Sequence, residues 1–135
     1  MRKIYFIILL TISHFSFSQS EKKTLSLPNP SEIIYSTDQV KVIPKFNGGK
    51  KALELFIKRN FVKPNVKALK GEVLVSFVVE KNGTLTEIGV LSDAGYGTGD
   101  EAIRVMSLSP AWSPGIQNEI VVRTQYMITI PVVTN

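Results

Sequence analysis

Apolar and polar residues alternate most clearly between Gly71 and Ser92. Val73, Val75, Phe77 and Val79 fall at every second position, so a strand sets them on one face and Leu74, Ser76 and Val78 on the other. Asn82-Gly83 follows, a pair that tolerates positive φ and suits the tight turn of a hairpin. A second β-rich run from Leu85 to Leu91 completes the predicted hairpin. Two strands alone are marginal in water, so the hairpin needs a further strand or helices against it.

The period changes to that of a helix on either side of the hairpin. Ala52, Leu53, Phe56 and Ile57 form one apolar helical face, with Lys50, Lys51, Glu54, Lys58 and Arg59 on the rest. Asn47 is placed to cap this helix, and Pro64 requires it to end earlier. Beyond the hairpin, Thr98 and Glu101 have capping-box spacing ahead of Ala102, Ile103, Val105, Met106 and Leu108, and Ser109-Pro110 closes that helix. Val40, Val42 and Ile43 predict a short strand closed by Pro44. Ile120 to Val132 alternates again and predicts the last strand. Between helix and last strand, Pro110 to Gly115 is a turn-rich loop around Trp112, which should pack down as a lid on the core with Phe56 and Phe77.

The first residues follow no such period. Arg2 and Lys3 precede an uncharged, largely apolar run from Ile4 to Phe17, and Ser16-Phe17-Ser18 offers small residues where a signal peptidase reads. This predicts a signal peptide over 1–18, a flexible leader over 19–37 and one folded domain over 38–135. It places the mature domain in the periplasm. If the apolar run is retained, the chain is anchored in the inner membrane and faces the periplasm, its one predicted membrane contact. Cleavage before Gln19 removes two cations and takes the formal charge from +5 to +3. The remaining charge is uneven. Lys41, Lys45, Lys50, Lys51, Lys58, Arg59, Lys63, Lys67 and Lys70 face Glu54 alone, whereas the chain after Lys70 is mildly acidic. In an exported protein such a stretch is a solvated helix face or a patch that steers toward an acidic partner, and nucleic acid is not the expected partner.

The inventory of reactive side chains is short. The chain has no cysteine, and its one histidine, His14, lies in the signal segment. Serine and cysteine nucleophile systems, a thiolate site and a standard zinc site are thus not expected in the mature domain, nor is a cofactor. Gly95, Gly97 and Gly99 lack phosphate-loop spacing, because Asp100 stands where a third glycine belongs. A binding module, not an enzyme, is the expected class. The last strand is long, β-branched and followed by Pro131, which suits an outer position. An extended peptide could complete its ladder along Ile120–Ile130, with Val121, Arg123, Gln125 and Met127 tuning choice. The same edge could pair two copies into a homodimer.

Pro44 to Leu53, Gly71 to Gly83, Asp100 to Arg104 and Ser109 to Gly115 together resemble the C-terminal domain of TonB-family energy transducers, in the Bacteroidetes style. The resemblance spans about Val40 to Val132. It implies an α+β, two-layer fold: a small antiparallel sheet of three to four strands with two helices packed on one face. It implies that the domain grips an extended segment of an outer-membrane TonB-dependent receptor through its last strand, in energy-coupled transport. The family's glutamine–proline–x–tyrosine–proline stretch corresponds to Ile43-Pro44-Lys45-Phe46-Asn47, so Ile43, Pro44 and Phe46 join the candidate contact residues. The rival function is a structural periplasmic domain that self-associates or binds cell-wall polymer, without energy transduction.

Overall fold

The computed structural model describes residues 26–135. The predicted signal peptide and the start of the leader lie outside them. The elements, in chain order, are β1 (Ile34–Tyr35), α1 (Gly49–Asn60), β2 (Lys70–Val79), β3 (Leu85–Ser92), α2 (Thr98–Ser107), β4 (Gly115–Gln117) and β5 (Ile120–Val133).

The hairpin of β2 and β3 forms as its alternation predicts. Val73, Val75, Phe77 and Val79 are fully buried on one face. Its connection is longer than a two-residue turn. The Gly83 amide donates to the Glu80 carbonyl and the Glu80 amide to the Thr84 carbonyl, both at 2.8 Å. Gly83 has φ +83°, and Asn82 is not among the positive-φ residues. Instead the Asn82 side chain accepts from the Thr84 amide and hydroxyl. Gly83 is required for a second reason: a Cβ there would lie 2.0 Å from the Trp112 carbonyl oxygen.

The fold is α+β as expected, with a larger sheet than the sequence suggested. Strands run in the order β1-β5-β2-β3, with β4 also paired to β5. β2 pairs antiparallel with both β3 and β5, whereas β1 pairs parallel with β5, so the sheet is mixed. β1 arises within the stretch read as a flexible leader: Ile34 and Tyr35 lie opposite Arg123 and Thr124. The strand expected at Val40–Ile43 reduces to isolated bridges, Val42 to Ile116 and Lys45 to Ser113.

Both helices lie on the face that carries Phe77. Ala102 and Met106 of α2 join the buried core, and Ala52, Leu53, Phe56 and Ile57 of α1 pack against it. Trp112 is 3% exposed, and its ring meets Phe77, Phe46 and Tyr126 at centroid distances of 5.2, 5.7 and 5.4 Å. The loop around Trp112 is therefore the core lid, and its indole N–H donates to Ser109 Oγ at 2.9 Å.

Both helix starts differ from expectation. Gly48, in the left-handed region, precedes α1, and no side chain caps it, so Asn47 is not the cap. Gly97 takes the same place for α2. Thr98 Oγ1 donates to the Gly95 carbonyl and accepts from the Ala94 amide. Glu101 accepts from the Val62 amide and pairs with Arg104. The two side chains thus bond to partners outside a capping box.

Candidate functional site

β5 has a neighbour on each side, against the expectation of a free edge along Ile120–Ile130. β2 covers one flank from Thr124 to Val133, and β1 covers the other at Arg123 and Thr124. Beyond Thr124 no described strand pairs with that second flank. The Thr134 amide donates to the Leu69 carbonyl at 2.9 Å, and the β2–β5 register is unbroken from Lys70 opposite Val133 to Val79 opposite Thr124. An antiparallel strand aims the backbone groups of successive residues alternately to its two sides. Even-numbered residues of β5 therefore bond β2, while Gln125, Met127, Thr129, Pro131 and Val133 aim theirs the other way. Two observations agree with this parity. Lys63 Nζ donates to the Val133 carbonyl at 2.7 Å. Pro131, which has no N–H, sits where β2 needs none.

α1 faces this open flank across a groove. The groove, of about 650 Å³, is lined by Leu53, Glu54 and Ile57 of α1, Ile43 to Phe46, Trp112, and Tyr126 to Thr129 of β5. A second depression of about 430 Å³ continues it past Ile57 and Thr129 to Phe61, Lys63 and Val133. The groove thus follows the unpaired backbone of β5 with an apolar helical wall opposite. Lys45, Lys50, Lys58 and Lys63 lie on its rim, against Glu54.

The expected contact residues divide into groups. Met127 is 56% exposed, and Gln125 is exposed while its amide donates to Ser76 Oγ. Ile43 is exposed at the groove end. Pro44 and Phe46 are buried, so they shape the groove and do not project from it. Val121 lies beside β4, opposite Ile116, outside the groove. Arg123 is occupied: Nε and Nη2 both donate to the Glu80 carboxylate at 2.8 Å, and Nη1 donates to the Glu32 carbonyl at 3.3 Å. Glu87 stands 3.9 Å away. The Arg123 hydrogen bond is the main cause holding the Glu80 carboxyl below its ordinary 4.5, against the opposing effect of burial. Sequence reasoning missed the α1 wall, Lys63 and β1. The apolar face Leu53–Ile57 was visible, but its second use beside the groove was not.

Among the described residues no helix is long and apolar enough to cross a membrane. Nor do three His, Cys, Asp or Glu side chains converge there as a metal site would require. Residues 66–132 match the model of a family described as the Gram-negative bacterial TonB protein C-terminal. The matched stretch holds the hairpin, α2, the Trp112 loop and most of β5, and it begins after α1. No curated protein and no solved structure is found to match the chain.

Proposed function

The chain carries a TonB C-terminal domain over residues 66–132, and on that premise we propose that it grips an extended segment of an outer-membrane receptor by adding that segment as a strand beside β5. TonB-family domains are periplasmic and serve energy-coupled transport. The observation that carries the proposal is the flank of β5 beyond Thr124, whose outward backbone groups face a groove with an apolar wall. A strand laid there gains ladder bonds from Met127 and Thr129, and its alternate side chains meet Leu53, Ile57 and Tyr126. The cationic rim favours acidic residues at the segment's ends. β1 already holds Arg123 and Thr124, so the added strand begins where β1 stops.

The parity of β5 gives a test that separates binding from folding. Met127→Pro removes an outward amide and leaves the β2 ladder intact, as Pro131 does in the natural chain. Ile128→Pro removes a β2 ladder bond. Peptides from receptor N-terminal segments should bind the wild type, fail on a folded Met127→Pro domain, and meet an unfolded chain in Ile128→Pro. Undiminished peptide binding by folded Met127→Pro would overturn the strand-addition reading. A second copy of the chain fits the same open flank, and sedimentation of the free protein distinguishes that homodimer.

A further inference from the structure

Ala52, Leu53, Phe56 and Ile57 turn α1 inward. At 100° per residue, the opposite side of the helix is centred on Lys51 and Lys58, flanked by Glu54 and Leu55, with Lys50 and Arg59 at its margins. All four cations are exposed, and none joins an ion pair among the described residues. Leu55, in their midst, is 45% exposed, and Val62 just past the helix end is 68% exposed.

The N-terminal end of this face is not what helix stability dictates. The first turn of α1 contains Lys50 and Lys51, no acid and no side-chain cap. Cations there oppose the helix dipole, whose positive end is the N-terminus. α2 of the same chain follows the favourable pattern, with Asp100 and Glu101 in its first turn and Arg104 in its last. α1 therefore holds Lys50 and Lys51 where they weaken it, while Lys58 and Arg59 in its last turn suit the dipole. The exposed Leu55 adds an apolar point to the charged face.

We infer that the outward face of α1 docks the domain on an anionic phospholipid surface. Flexible lysine stems carrying point charges suit diffuse headgroup charge, and an exposed leucine adds the shallow apolar insertion that a soluble polyanion does not reward. Lys51, Leu55 and Arg59 lie away from the groove, whereas Lys50 and Lys58 also reach its rim; a vesicle readout without peptide tests the inference apart from strand addition. Docking there would hold the groove close to a membrane while leaving it open.

The test uses the full chain with phosphatidylcholine vesicles, with and without phosphatidylglycerol, and with soluble polyglutamate. The N-terminal segment is common to all variants and cancels in the comparison. Co-sedimentation should require phosphatidylglycerol and fall with added salt. Each cation near an anionic surface strengthens binding roughly fivefold, so Lys51→Gln with Lys58→Gln should weaken it by about 25-fold. Leu55→Ser should weaken vesicle binding several-fold and leave polyglutamate binding unchanged. Thermal melts confirm that these exposed substitutions remain folded. Absent binding, equal binding to phosphatidylcholine alone, or indifference to the two lysines would overturn the inference. So would an unaffected Leu55→Ser, which would assign the face to a soluble polyanion such as a wall polymer. The Met127→Pro result is read on peptide and fails separately.

Discussion

Trp112 shows how far a single residue could be read in advance. A lone aromatic among prolines and glycines has little to pack on except the core, and it closes the core against Phe46, Phe77 and Tyr126. Trp112→Ala should lower stability by about 3–5 kcal/mol, seen as a shift of the denaturant midpoint. An unchanged midpoint would contradict the packed indole. The helix caps were not legible in the same way, because side-chain oxygens choose among partners that spacing does not reveal. Glu101 takes the Val62 amide, 39 residues away in sequence. Phe46 was legible as important, but not its burial in the groove floor, since an aromatic beside a proline looks alike whether it projects outward or packs on the core.

At the level of elements, period identifies a face and says little about neighbours. The alternation of β5 marked Val122, Thr124 and Ile130 as one side, and they are buried. Nothing in that alternation says that β1 lies on one flank, because two residues, Ile34 and Tyr35, are too few to show a period. The open flank follows instead from one hydrogen bond at Thr134 and an unbroken register. α1 was legible as an amphipathic helix, and its charge order now makes a stability prediction. Lys51→Glu places an acid in the first turn and should raise stability by about 0.3–1 kcal/mol, measured by urea midpoint at low salt. A lowered midpoint would show that Lys51 is held by a stabilising contact after all.

Across the whole molecule, two carboxylates tie elements together. Glu80 joins the hairpin turn to β5, and Glu101 joins the segment after α1 to α2. Hydrogen bonds from Arg123 and Arg104, respectively, lead the effects that hold them below the ordinary 4.5. Their folded values are depressed, so the stability they contribute is present above the unfolded value and is lost as pH falls from about 4.5 through the folded values. Glu80→Gln and Glu101→Gln should flatten the acid limb of a midpoint-against-pH curve, and an unchanged limb would count against both ties. The ten consecutive pairs between β2 and β5 have a mechanical meaning. Ladder bonds lie across the strand axis, so tension applied along β5 is shared by all of them side by side, whereas peeling meets them one at a time. β1 and the open groove lie on one flank of β5, so a load passing between them would run along β5 and be spread over its whole ladder with β2.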